Sequence, residues 1–138
     1  MIKPHYTIES LNELGKNSMG EHLGIEFTEI GTDYLVAKMP VDQRTKQPFG
    51  LLHGGANCVL AETLGSVGSR CCIDTEKYTV VGVEINANHL RSAREGFVIG
   101  KATLLHGGRK IHVWDIRITN EQGKLMCVSR LTVAVIPN

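Results

Sequence analysis

Short apolar-rich runs, alternating with period two in one of them and apolar on more than one side in the later ones, make up much of this chain, and one long stretch replaces them with helical spacing. From Ala56 to about Cys72, the positions Val59, Leu60, Thr63, Leu64 and Val67 recur as one stripe, which predicts a helix of about four turns. A shorter helix is expected over Thr7 to Leu14. Thr7 can cap it, Ile8, Leu11 and Leu14 form its apolar edge, and Gly15 can end it. Lys16 to Gly24 reads as irregular or as a single turn. Ile25 to Ile30 and Tyr34 to Met39 read as a hairpin around Gly31-Thr32-Asp33, which Pro40 closes. Beyond the long helix, four strands are expected: Tyr78 to Leu90, Phe97 to Leu105, Ile111 to Thr119 and Leu125 to Ile136. In the first of these, Val81, Val83, Ile85 and Ala87 alternate with Gly82, Glu84, Asn86 and Asn88, giving one apolar and one polar face.

This order predicts an α+β arrangement, an antiparallel sheet wrapped around one long central helix, in a single domain spanning residues 1–138. One helix cannot cover both faces of such a sheet. The chain is therefore expected to bury the remainder as an obligate homo-oligomer.

The stretch from Gln47 to Ser69 carries the chemistry. Pro48 and the glycines at 50, 54 and 55 keep its first half out of helix. That loop delivers His53 and two glycine amides to a helix N-terminus, where unpaired N–H groups and the helix dipole favour negative charge. Two turns on, Glu62 interrupts the apolar pattern, and Ser66 follows on the same face. Gly65, Gly68 and Ser69 lower helix propensity, by roughly 1 kcal/mol per glycine. Close packing against a sheet, or a ligand passing nearby, would justify that cost.

Composition narrows the function classes. At 138 residues and 15.1 kDa, with 42% hydrophobic and 21% charged residues, the chain has ordinary globular values. A net charge of +1 gives no electrostatic case for nucleic acid or a membrane surface as partner. No apolar run approaches the ~20 residues of a membrane span, and the N-terminus lacks a signal-peptide pattern. A cytoplasmic protein is expected. Cys58, Cys71, Cys72 and Cys127 form no C-x-x-C pair, so reduced, largely buried thiols are expected. The six histidines show no metal-binding spacing, and neither a metal nor a cofactor is expected.

Q-P-F-G-L-L-H-G-G-A, A-E-T-L-G-S, V-V-G-V-E-I-N-A-N-H, R-S-A-R-E-G and the closing S-R-L-T resemble, over nearly the whole chain, the hotdog-fold acyl-CoA thioesterases. The branch most similar is that of the 1,4-dihydroxy-2-naphthoyl-CoA and enterobactin-proofreading thioesterases. A glutamine six positions before the histidine and a glutamate nine after it make the match specific. The resemblance implies that Glu62 is the catalytic carboxylate and that the Gly54 N–H polarises the thioester carbonyl. It places Gln47 and His53 beside that carbonyl, with Ser66 positioning water or the carboxylate. By the same resemblance, Gly82, then His89, Leu90, Arg91 and Ser92, and the turn His106, Gly107, Gly108, Arg109, Lys110 and Ile111 hold coenzyme A. The turn H-G-G-R-K-I departs from the family pattern. Sites shared between two subunits, and dimers paired into tetramers, are also implied. Phe49, Leu51, Leu52, Val59 and Val67 are expected to make an apolar acyl pocket.

Each residue has a plainer alternative. Glu62 could be a solvated helix residue, His53 a loop-shaping one, Ser66 a packing residue, and Arg91, Arg94, Arg109 and Lys110 ordinary surface charges. Two rival functions compete with hydrolysis: hydration or dehydration of an acyl thioester, and non-catalytic binding of acyl-CoA. The first usually sets its histidine in a proline-rich segment, and the second would not need Glu62.

Overall fold

A computed structural model describes residues 1–138. Helix α1 (Ile8–Leu14) starts with a reciprocal cap, in which Thr7 Oγ1 accepts from the Ser10 N–H and Ser10 Oγ accepts from the Thr7 N–H. Helix α2 (Met19–His22) is a single turn. The hairpin β1 (Glu26–Ile30) and β2 (Tyr34–Pro40) leads through the polar loop into α3 (Gly54–Cys72). Strands β3 (Tyr78–His89), β4 (Phe97–Gly107), β5 (Ile111–Asn120) and β6 (Leu125–Pro137) follow. All six strands join one antiparallel sheet in the order β1-β2-β4-β5-β6-β3. This is the hotdog arrangement, with α3 packed against β2 to β6. Because β3 pairs only with β6, its other edge is open.

The buried seam of α3 is rotated from the expected stripe. Leu60, Ala61, Leu64, Gly65, Gly68 and Ser69 are buried, whereas Val59, Thr63 and Val67 are only half-buried. The side of small residues is the one that approaches the sheet most closely. A Cβ on Gly65 would lie 2.5 Å from a Leu131 methyl, and one on Gly68 would lie 2.6 Å from the Trp114 ring. Trp114, fully buried, donates its indole N–H to Ser69 Oγ at 2.8 Å. The glycines therefore exchange helix propensity for contact with the tryptophan and leucine of β5 and β6.

Strand β3 also departs from its simple alternation. Val80, Ile85 and Ala87 pack on the core, while Val81 and Val83 are 45% and 60% exposed. A bulge between Gly82 and Glu84 shifts the register against β6. An extra residue exchanges the faces of everything before it. Gly82, not Val81 or Val83, thus faces the helix. The outer side of the sheet is left with exposed Val81, Leu105, Ile111 and Ile136.

All four cysteines are free. Burial pushes the Cys71 thiol up to about 12 and the Cys127 thiol up to about 11. No helix is long and apolar enough to cross a membrane.

Candidate active site

The loop before α3 is tied down from both ends. The Gln47 N–H donates to the Leu51 carbonyl at 2.7 Å, the Gly50 N–H returns to the Gln47 carbonyl at 3.1 Å, and Gly50 has φ +81°. Only glycine adopts that angle without strain. Gln47 Oε1 accepts from the Phe49 N–H, so its terminal NH₂ is left free to donate. His53 is the N-cap of α3. Its N–H donates to the Thr45 carbonyl at 2.8 Å, and its Nδ1 accepts from the Gly55 N–H at 2.8 Å. The ring satisfies the second amide of the helix and leaves the first, that of Gly54, without an acceptor in the chain. One preorganised donor thus stands at the positive end of a 19-residue helix.

Glu62 lies two turns further along α3, half-buried, with no hydrogen bond or ion pair inside the chain. Its Oε1 sits against the Cα of Gly82 so closely that a side chain at 82 would collide with it. The β3 bulge that turns Gly82 inward is what makes room for this carboxylate. Burial holds the Glu62 carboxyl above its ordinary range, the direction suited to a base or nucleophile that must also accept a proton. Ser66 is one turn on and half-buried.

A model of the thioesterase superfamily matches residues 49–127. The 1,4-dihydroxy-2-naphthoyl-CoA hydrolase of Escherichia coli is 55% identical over 134 residues, which cover 97% of this chain and 98% of that protein. The proofreading thioesterase EntH of Cronobacter turicensis is 50% identical over 134 residues, 97% of each chain. The crystal structure of a mutant thioesterase from Pseudomonas aeruginosa superposes with a TM-score of 0.97 at 52% identity, covering 99% of both chains. The chain belongs to the thioesterase superfamily.

In this thioesterase the residues expected to act together do not all meet within one chain. Gly54 and Glu62 share a helix eight positions apart, which is about 12 Å of axial rise. One thioester carbonyl cannot touch both. The segments expected to hold coenzyme A are separated too. His89 pairs with Cys127 at one end of β6, and Ile111 pairs with Ala134 near the other. Seven strand residues at about 3.3 Å each put them roughly 23 Å apart. Leu90 and Arg91 are fixed just beyond β3 by N–H bonds to the Met126 carbonyl, at 2.8 and 3.3 Å. In the turn, the Gly108 N–H bonds the Ile111 carbonyl at 3.0 Å, and Gly107, Gly108 and Arg109 border a cavity of about 340 Å³.

The larger cavity, of about 680 Å³, lies between α1, α2, β1 and α3. Leu11, Leu14, Met19, Phe27, Thr63 and Val67 contribute to its wall. Of the five apolar residues expected around an acyl group, only Val67 borders it; Phe49 is 84% exposed and Leu52 is buried elsewhere. The α1–α2 residues are not legible in the sequence as cavity-lining residues, because their proximity to Thr63 and Val67 is a contact across about a third of the chain. Asn57 was also missed. It is buried at 3% exposure, with its amide 3.5 Å from the His89 ring. A signal for it existed: a polar residue of modest helix propensity in the first turn of an otherwise small and apolar helix.

Proposed function

We propose that this enzyme hydrolyses aryl coenzyme A thioesters, and more broadly acyl-CoA thioesters, to free acid and coenzyme A. Its leading substrate is 1,4-dihydroxy-2-naphthoyl-CoA in menaquinone synthesis. The observation that carries the reading is the pair of groups on α3: a free Gly54 amide at the helix start, and the half-buried Glu62 with its raised pKa. The thioester carbonyl oxygen accepts from Gly54, with the Gln47 NH₂ and His53 beside it. Glu62 acts either as the base for water or as the nucleophile, and Ser66 helps position it. A C–O bond forms, the C–S bond breaks, and coenzyme A leaves as thiol. Gly82, His89, Leu90, Arg91 and Ser92, with the turn from His106 to Ile111, hold the coenzyme A moiety.

The 12 Å between Gly54 and Glu62 along one helix supports a site shared by two copies. If two α3 helices pack antiparallel, Gly54 of each stands opposite Glu62 of the other. The same operation would bring the 106–111 turn of one chain toward the 89–92 segment of its partner. The open edge of β3 and the apolar outer face of the sheet supply surfaces for a dimer and for a dimer of dimers. The enzyme acts in the cytoplasm.

Release of coenzyme A from 1,4-dihydroxy-2-naphthoyl-CoA, benzoyl-CoA, fatty acyl-CoA and acetyl-CoA tests this. Aryl thioesters should turn over fastest, and a clear preference for acetyl-CoA over benzoyl-CoA overturns the reading. The 50% identity to a proofreading thioesterase favours a second reading, hydrolysis of misacylated carrier protein in siderophore synthesis. An aryl group loaded on a carrier protein and on coenzyme A, compared by kcat/KM, decides between them.

A further inference from the structure

His89 ends β3, and its imidazole reaches across to the start of α3. Its Nε2 is the nearest atom to the position a Gly54 Cβ would occupy, at 2.8 Å, with both neighbouring ring carbons at 3.2 Å. The tip of the ring is therefore directed at Gly54, and a side chain there would have to displace it. The other ring nitrogen, Nδ1, faces Nδ2 of Asn57 at 3.5 Å. Asn57 is nine-tenths buried and more, and its Oδ1 has no partner. A buried amide with an unmet oxygen is costly, so this first-turn polar group calls for an explanation beyond packing.

With the Asn57 NH₂ placed toward Nδ1, that ring nitrogen accepts and the imidazole carries its proton on Nε2, whereas a flipped amide would require Nδ1–H. We propose that Asn57 fixes this tautomer and that His89 Nε2–H is a second hydrogen-bond donor to the thioester carbonyl oxygen, beside the Gly54 N–H. His89 thus has a catalytic role distinct from any contact with coenzyme A, and Asn57 is its positioning residue. No proton is transferred: the donor stabilises the oxyanion as water or Glu62 adds to the carbonyl carbon, and it releases it when the C–S bond breaks. The inference rests on the thioester hydrolysis proposed above.

Losing one of two preorganised donors typically lowers kcat by about 10²-fold. His89→Ala should do so, with the fall in kcat exceeding any rise in KM from a lost coenzyme A contact, because a transition-state contact is removed. His89→Gln, whose NH₂ reaches the same region, should recover part of the loss. Asn57→Leu, of similar volume, should lower kcat about tenfold. Long-range proton–nitrogen correlation spectra of the intact, histidine-labelled protein read the tautomer without any substrate. They should show His89 protonated on Nε2, and mixed tautomers in Asn57→Leu. Protonation on Nδ1 in the wild type overturns the proposal. So does full kcat in His89→Ala, or a rise in KM alone, provided wild-type protein hydrolyses the thioester and Glu62→Gln does not. If wild type hydrolyses no thioester, the functional reading itself fails, and the spectra still decide the Asn57–His89 pairing.

Discussion

Glu62 and Gly82 constrain one another across the gap between α3 and β3. Glu62→Gln or Glu62→Ala should leave a folded oligomer and lower kcat about 10³-fold or more, the loss expected for an essential base or nucleophile. Steady-state release of coenzyme A measures it, and near-full activity removes Glu62 from the mechanism. Burial raises the folded-state pKa of Glu62. The stability associated with its neutral form is therefore fully present below the unfolded pKa, and it is lost as pH rises through the folded pKa. Glu62→Gln should melt higher than wild type at pH 7 to 8, by an increment that shrinks toward pH 4. The acid limb of kcat/KM should correspondingly lie above the ordinary glutamate range. Gly82→Ala introduces a methyl group where Glu62 Oε1 sits; it should displace the carboxylate and lower kcat at least tenfold with little change in melting temperature.

At the scale of elements, α3 works because its small side meets the sheet. Gly68→Ala adds a carbon 2.6 Å from the Trp114 ring. The helix gains propensity of up to about 1 kcal/mol, whereas overpacking a filled core costs roughly 1–3 kcal/mol. The overpacking term wins, so chemical denaturation should show a less stable protein; a more stable one would mean that Trp114 can yield. The helix was legible in the sequence because its apolar spacing is long and regular. The apolar stripe alone misplaces the buried side, since Val59 and Val67 are only half-buried, but the helix-propensity cost of Gly65, Gly68 and Ser69 points to the side that does approach the sheet. In β3 the alternation was equally plain and the face it assigned to Val81 and Val83 was wrong. A bulge leaves no mark in a pattern of period two until the partner strand fixes the register.

For the whole molecule, the proposed sharing of each site between Gly54 of one copy and Glu62 of another should make activity depend on assembly. Val81→Lys, beside the open edge of β3 on the outer face of the sheet, should weaken association, and activity should fall in step with the oligomer seen by light scattering. A fully active monomer would overturn the shared site. Arg91→Ala and Arg109→Ala should mainly raise KM for coenzyme A thioesters, because a phosphate contact acts on ground and transition states alike. A substrate truncated before the nucleotide should be insensitive to both; equal losses with it would place the nucleotide elsewhere.

By itself the sequence determined the order of elements, the long helix and its glycine-rich entry, and the residue types available at the site. These follow from local spacing and backbone chemistry: the glycine-rich entry, a helix from about Ala56 and Glu62 two turns in are set by positions within one segment, whereas the helix begins two residues earlier, at Gly54, because the His53 side chain caps it. Tertiary structure decided which of them meet. The β3 bulge brought Gly82 under Glu62, the sheet carried His89 from the end of β3 to Gly54 and Asn57, and the α1–α2 segment closed a cavity against Thr63 and Val67. Each of these is a contact between residues distant in the chain, set by strand register and helix rotation, and periodicity within a segment carries no information about either.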